Sequence, residues 1–412
     1  MPFHFEVLKT DPSGARLGRL TTPHGVIETP AFMPVGTAGT VKGLTQQVLE
    51  DLGVGLLLAN TYHLYLRPGH ELISRMGGLH QFMAWRGGIL TDSGGFQVLS
   101  LADLRQVSDE GVRFRSHLDG GSLHLLTPEK AIEIQQALGS DIGMLLDECI
   151  AAPSHQNGDG EGDREGAAEA APGATSVGAR EAAQEATRQA ARAAAARTLL
   201  WARRSRAALD NGAPPSASNP GQVFFAIVQG GTYADLRREN AQALVELDFP
   251  GYAIGGLAVG EPHELSCEMA TAAAEFLPEE RPRYLMGVGK PEQLADYVRC
   301  GIDMMDCVLP TRNARNGCLY TRQGPLHIKN ARYAADARPL DEACGCMVCR
   351  RYSRAYLRHL FQADEILAAI LNSHHNVYFY LDLMRAIREA IAFGNLSRFS
   401  SELHARMEAG QP

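Results

Sequence analysis

Short, continuously apolar runs alternate along this chain with longer segments in which apolar residues recur at helical spacing. The runs are Ala31–Val35, Val54–Ala59, Gly88–Thr91, Ile142–Leu146, Val223–Val228, Tyr252–Ile254, Arg283–Met286 and Met304–Met305. A strand apolar on both faces belongs in a sheet covered on both sides, and strands separated by helices pair in parallel. Eight such units predict an α/β fold, a (β/α)8 barrel.

The residues that end these runs are Gly36, Asn60, Asp92, Asp147, Gln229, Gly255-Gly256, Gly287 and Asp306. Barrel enzymes assemble their sites from several C-terminal strand ends at once. Asp, Asn and Gly also favour turns, so any one of these residues alone reads as a turn former. Asp92, Asp147, Gln229 and Asp306 together read as a shared polar pocket.

The alternation breaks after Pro153. Ser154 to Gly178 is rich in Gly, Ala, Asp and Glu, with Val177 as its only branched aliphatic residue. Such a segment buries too little apolar surface to offset chain entropy, which predicts a disordered or flexible Ala/Gly-rich insert over about 154–196. From Ala179 the sequence reads as a solvated helix running into Leu199-Leu200-Trp201. Glu181 and Glu185 precede Arg188, Arg192 and Arg197, the order the helix dipole favours. Asn211-Gly212-Ala213-Pro214-Pro215 marks a second loop.

With 412 residues, 45% of them hydrophobic, the chain can build one large barrel with an appendage, or two ordinary domains. No apolar stretch reaches the ~18 residues of a membrane span. The first residues lack a signal-peptide pattern, which points to the cytoplasm. Net charge is −8, yet Arg281–Arg358 carries 14 Lys/Arg against seven Asp/Glu. That basic stretch fits a polyanion footprint, and equally a chance asymmetry of an ordinary solvated surface.

Of the eight cysteines, Cys344, Cys346 and Cys349 cluster and the rest are scattered, a pattern for one metal site among reduced thiols. Three thiolates suit a soft tetrahedral ion such as zinc, and His374 or His375 is the nearest fourth ligand. A closed shell of that kind is structural. In Asp92-Ser93-Gly94-Gly95-Phe96-Gln97 the glycines let a planar ligand approach and Phe96 can stack on it. Paired carboxylates suit acid–base work at glycosidic bonds. Asp306 is followed by Arg312 and Arg315, which sets a candidate nucleophile beside a candidate phosphate clamp.

At these residues the sequence resembles the bacterial queuine tRNA-ribosyltransferases, also called tRNA-guanine transglycosylases. The resemblance covers nearly the whole chain. It runs through Met33 to Thr37, Asn60 to Leu64, Thr91 to Gln97, His117 to Gly120, Asp147-Glu148-Cys149, Gly255 to Glu261, Tyr284 to Gly289 and Asp306 to Gly317. It implies a (β/α)8 catalytic barrel over 1–340, a zinc-binding subdomain over 341–380, and a C-terminal helical segment over 381–412 packing on the barrel. It also implies a homodimer with one structural zinc ion per subunit. The implied reaction exchanges guanine at the anticodon wobble position of GUN-anticodon tRNAs (Asp, Asn, His, Tyr) for 7-aminomethyl-7-deazaguanine, in queuosine biosynthesis.

Asp306 falls on the family's nucleophile and Asp92 on its general acid/base. Asp92, Ser93, Gly94, Gly95, Phe96, Asp147, Gln229, Gly256 and Leu257 fall on base-binding positions. Gly287, Val288, Gly289, Lys290, Pro291, Glu292 and Gln293 match one tRNA-contacting loop; Thr311, Arg312, Asn313, Ala314 and Arg315 match another. Cys344, Cys346, Cys349 and His375 fall on the zinc ligands. Cys149 and Val259 resemble the bacterial type. The insert is the main departure, since the family has a short loop there.

Three rival readings use the same residues. A nucleosidase-type hydrolase would need the carboxylates without the basic clamp. A non-catalytic tRNA-binding subunit of the same fold would lack the nucleophile, whereas this chain has both Asp92 and Asp306. A catalytic zinc hydrolase would need an open coordination position.

Overall fold

The computed structural model describes residues 2–101, 105–116, 120–150, 177–212, 214 and 217–409. Eight parallel strands form one sheet: β1 (Ala31–Pro34), β2 (Leu56–Ala59), β3 (Gly88–Thr91), β4 (Ile142–Met144), β5 (Val223–Val228), β6 (Tyr252–Ile254), β7 (Arg283–Leu285) and β8 (Met304–Cys307). Each pairs with its neighbours in sequence; β8 returns to β1, and a parallel bridge from Val35 to Leu58 closes the ring between β1 and β2. This is the (β/α)8 barrel that the apolar runs predict.

Side-chain direction alternates along each strand, so the runs supply two cores at once. Met33, Leu58, Leu90, Met144, Phe225, Ile227, Ala253, Tyr284 and Met304 pack together in the interior. Phe32, Phe224, Ala226, Ile254, Leu285 and Met305 join the layer between sheet and helices. The same alternation sets the site: Asp92, Gln229 and Asp306 lie two residues beyond the inward-facing Leu90, Ile227 and Met304.

Three antiparallel additions escape the apolar-run pattern because their strands are half polar. His4–Thr10, Arg16–Thr22 and Gly25–Thr29 form an N-terminal sheet. Its Phe5, Leu20 and Ile27 join the interior core and close the floor of the barrel. Arg105–Ser108, Gly111–Arg115 and Leu123–Leu126 form a second small sheet after β3, and Cys318–Thr321 pairs with Gly324–His327 after β8.

Two local expectations change. Asp306 is the third residue of β8 rather than a residue beyond it, paired with Met33 of β1. The loop expected after β8 is a short helix, Leu309–Arg315, with Pro310 in its first turn, where a missing N–H costs nothing. The solvated helix expected from Ala179 runs Val177–Asp210. Of the flexible insert expected over about 154–196, residues 177–196 belong to this helix, and 154–176 lie outside the described residues, as do 117–119.

One long helix, Ile366–Phe393, packs across β1 and the hairpin after β8, and ends at Gly394 with φ +71°. Leu396–Ala409 follows it. A separate core gathers Ala314, Leu319, Leu326, Cys346, Cys349, Leu357 and Leu371.

Candidate active site

Asp92 follows directly on β3 with its carboxylate buried. The Asn60 side-chain amide, at the end of β2, donates to Oδ2, and the Thr61 N–H donates to Oδ1 at 2.8 Å. The Thr61 hydroxyl adds a bond to the Asp92 carbonyl oxygen at 2.6 Å. Burial, with the neighbouring Asp306 charge adding to it, pushes Asp92 up to about 6 against those donors.

Asp306 receives two donors on one oxygen. The Tyr284 hydroxyl, from β7, donates to Oδ1 at 2.5 Å, and the Gly287 N–H donates to the same atom at 2.8 Å. Burial raises the Asp306 carboxyl above its usual range while these donors oppose it. Burial first, and the Asp306 charge second, hold the Tyr284 phenol well above its ordinary value, so it stays a donor.

Asp147, just past β4, accepts from the Ser93 hydroxyl at 3.0 Å and from the Gln229 side-chain amide at 2.7 Å. Burial raises its carboxyl too. The Gln229 backbone N–H donates to Asn240 Oδ1 at 2.9 Å, and Gln229 Oε1 is buried with no partner. An acceptor left unpaired in a dry site costs stability unless a ligand N–H completes it.

Gly256 sits over that amide with φ +65°, and a Cβ there would lie 2.5 Å from Gln229 Oε1. Only glycine allows both the backbone conformation and the approach. Below it, the fully buried Arg237 donates to the carbonyls of Gly231 at 2.7 Å, Gly255 at 3.0 Å and Gly256 at 3.3 Å. Leu257 is buried beside Gly256, and Phe96 is 52% exposed on the short helix Gly95–Leu101.

Three buried carboxylates therefore converge at one end of the barrel, and among the described residues none is bonded to a cation. Asp303, at the opposite end of the same strand as Asp306, shows the contrast. It is closed off by the Arg16 guanidinium and by the Arg283 N–H at 2.8 Å. Asp303 is a satisfied structural ion pair, whereas the other end is a set of acceptors awaiting positive charge or N–H donors.

Around this pocket Gly287, Lys290, Arg312 and Arg315 are exposed, while Val288, Gly289, Pro291, Thr311 and Ala314 are buried beneath them. Glu292 and Gln293 are half-buried; Gln293 accepts from the Lys290 N–H at 3.0 Å, and Asn313 donates to the Tyr320 hydroxyl at 2.6 Å. Helix Val177–Asp210 leans on the pocket wall: Arg197 pairs with Glu148, and Thr198 accepts from the Glu148 N–H at 3.0 Å.

The cysteine cluster is assembled as its spacing implies. The sulfurs of Cys344, Cys346 and Cys349 lie 3.9, 3.5 and 3.4 Å from His375 Nδ1, and all four ligand atoms fall within 4.8 Å of one another. His375 Nε2 is 2.7 Å from the Tyr320 carbonyl oxygen, which takes the ring proton on that side and turns the Nδ1 lone pair to the sulfurs. His375, not His374, completes the group of four that could hold a metal ion. This donor set fits a metal ion.

Compared with known families, residues 11–160 and 179–409 match the family described as Queuine tRNA-ribosyltransferase. The chain belongs to that family. It is 51% identical over 399 residues to the queuine tRNA-ribosyltransferase of Caldanaerobacter subterraneus subsp. tengcongensis, covering 97% of this chain and 96% of the relative. It is 52% identical over 394 residues to that of Pelotomaculum thermopropionicum (96% and 95% covered), and 49% over 412 residues to that of Symbiobacterium thermophilum (100% and 93%). Queuine tRNA-ribosyltransferases are pentosyltransferases, and membership makes this chain an enzyme of that class. The family match breaks at 161–178, inside the expected insert. Among the described residues no helix is long and apolar enough to cross a membrane.

Sequence reading missed Asn240 and Arg237, and gave Thr61 and Tyr284 no role. Tyr284 was within reach: it pairs with Met304, two residues before Asp306, so both point into the barrel. Arg237 carried no signal, because a helical arginine normally reads as solvated.

Proposed function

We propose that this chain is a tRNA-guanine transglycosylase that exchanges guanine at the wobble position of GUN-anticodon tRNAs (Asp, Asn, His, Tyr) for 7-aminomethyl-7-deazaguanine. The observation that carries the reading is the pair of buried carboxylates, Asp92 and Asp306, in one pocket with neutral donors as their only partners among the described residues. A carboxylate without a counter-cation stabilises the positive charge that builds at C1′ as an N-glycosidic bond breaks.

In this account an Asp306 carboxylate oxygen attacks C1′ of the wobble nucleotide while the bond to guanine N9 breaks. Asp92, as the acid, supplies the proton that leaves with guanine. The incoming base returns its N9 proton to Asp92, N9 attacks C1′, and the ester to Asp306 breaks, so configuration is retained. An Asp92 held near 6 can do both transfers at neutral pH. Ser93, Gly94, Gly95, Asp147, Gln229, Gly256 and Leu257 read the edge of the unstacked base, and Phe96 covers its face. The unpaired Gln229 acceptor supports that assignment.

Residues 287–293 and 311–315 hold the anticodon arm, with Lys290, Arg312 and Arg315 neutralising phosphates. The metal held by Cys344, Cys346, Cys349 and His375 is zinc, since three thiolates and an imidazole close a tetrahedral shell, and it ties the polypeptide after β8 together. The enzyme works in the cytoplasm as a homodimer, and the 39% exposed Tyr356 next to Tyr352 supports a contact on that surface. The insert is catalytically neutral.

Incorporation of radiolabelled guanine into unmodified GUN-anticodon tRNA tests the reading. Exchange by the wild type that vanishes in Asp306→Asn supports it. Guanine release without incorporation would make the enzyme a hydrolase, and no reaction by the wild type would make it a binding subunit.

A further inference from the structure

The floor of the barrel, opposite the proposed site, holds a second group of metal-ligating side chains. Asp141 precedes β4, is fully buried, and accepts from the Ile89 N–H of β3 at 2.9 Å through Oδ2. His24 Nδ1 lies 2.7 Å from Asp141 Oδ1, and His80 Nε2 lies 3.2 Å from Oδ2. One ligand atom from each of the three side chains falls within 4.8 Å of the others. His80 is 11% and His24 32% exposed, so the cluster is walled on one side and open to water on the other.

Between strands of one sheet, a single His–Asp bond would be an ordinary structural contact. Two imidazoles brought to one buried carboxylate are a different matter. The rings stack with centroids 3.5 Å apart and 14° between planes. One carboxylate oxygen and two imidazole nitrogens brought together are the donor set of a borderline divalent cation.

We propose that His24, His80 and Asp141 form a second divalent-metal site, for a zinc-class ion with water completing the shell. Zinc-class ligand edges are about 3.3 Å for metal–ligand distances near 2.0–2.1 Å, close to the separations already present. Parallel stacked rings do not converge their lone pairs on one ion, so binding turns one ring out of the stack. His24, on the half-buried turn between two floor strands, is the more exposed of the two rings and the one with room to turn. The three ligands lie 56, 61 and 117 positions apart in sequence. An ion there clips the N-terminal sheet to the segment after β2 and to the start of β4. In this fold that face serves stability rather than chemistry. Oxygen-seeking calcium and magnesium are the wrong class for two imidazoles.

Zinc-loaded enzyme, exchanged into metal-free buffer, is titrated with cobalt(II) and with zinc chloride, following heat and the cobalt visible spectrum. The expected result is a second equivalent per chain whose cobalt spectrum lacks thiolate-to-metal charge transfer. Its affinity falls roughly 10- to 100-fold in His80→Asn and in His24→Ala. The melting temperature of the wild type rises with added zinc, and that rise is lost in His24→Ala, a substitution at a partly exposed turn that leaves the fold in place. One equivalent only, or a second that survives both substitutions, overturns the proposal.

Discussion

The Tyr284 hydroxyl donates to Asp306 Oδ1 at 2.5 Å from the adjacent barrel strand. It is the only side-chain donor to that carboxylate among the described residues, and with the Gly287 N–H it opposes the rise that burial imposes. A nucleophilic carboxylate must be ionised, so Tyr284 holds Asp306 in its working form.

Tyr284→Phe should therefore slow base exchange roughly 10- to 100-fold, the worth of a buried hydrogen bond to a charged group. Removing the donor raises Asp306 further, so the acid limb of kcat/KM should move to higher pH. A pH–rate profile of the variant checks both, and an unmoved limb would remove Tyr284 from the account.

Asp92 makes a prediction about stability. Its folded value, about 6, lies above its ordinary 3.8, so the folded state binds the proton more tightly than the unfolded chain. Stability therefore falls as pH rises through that window and stays low above it. Asp92→Asn should stabilise the protein above pH ~6 by about 1–3 kcal/mol, with the gain disappearing near pH ~4. Urea unfolding at both pH values measures it, while base exchange is lost.

Asp147→Asn should separate base from tRNA. The Ser93 and Gln229 donors lose an anionic acceptor, and the pocket loses a carboxylate facing the base N–H groups. KM for guanine should rise by roughly 10- to 100-fold while tRNA affinity holds. Titration with each substrate in turn distinguishes this from a general loss of structure.

Arg312→Ala and Arg315→Ala should do the reverse. Each removes one exposed cation from the proposed anticodon surface, so tRNA binding should weaken and its salt slope should drop by about one per residue. Affinity for the free base should stay where it is. A slope unchanged in both variants would place the tRNA elsewhere.

Much of this arrangement is legible from the chain because a barrel strand is short, apolar on both faces and ends where its chemistry begins. Asp92, Asp147, Gln229 and Asp306 could be read as one pocket for that reason. The cysteine cluster is local in sequence, so spacing alone found three ligands; choosing His375 over His374 took a family resemblance, and the Tyr320 carbonyl gives the physical reason. The N-terminal sheet was illegible because the buried positions of Arg16–Thr22 are Arg16, Gly18, Leu20 and Thr22, which leave neither an apolar run nor an apolar alternation. Arg237 was illegible because its bonds run to three backbone carbonyls, groups that every residue carries. Long-range partners of generic atoms leave no mark on composition or spacing.

The central claim is a covalent link between tRNA and Asp306. Enzyme incubated with unmodified GUN-anticodon tRNA without incoming base, denatured and resolved by gel and peptide mass, tests it directly. The account predicts a tRNA adduct on the peptide containing Asp306, released by added guanine and absent in Asp306→Asn. Full exchange activity with no adduct on that peptide, or an adduct that persists in Asp306→Asn, would contradict it.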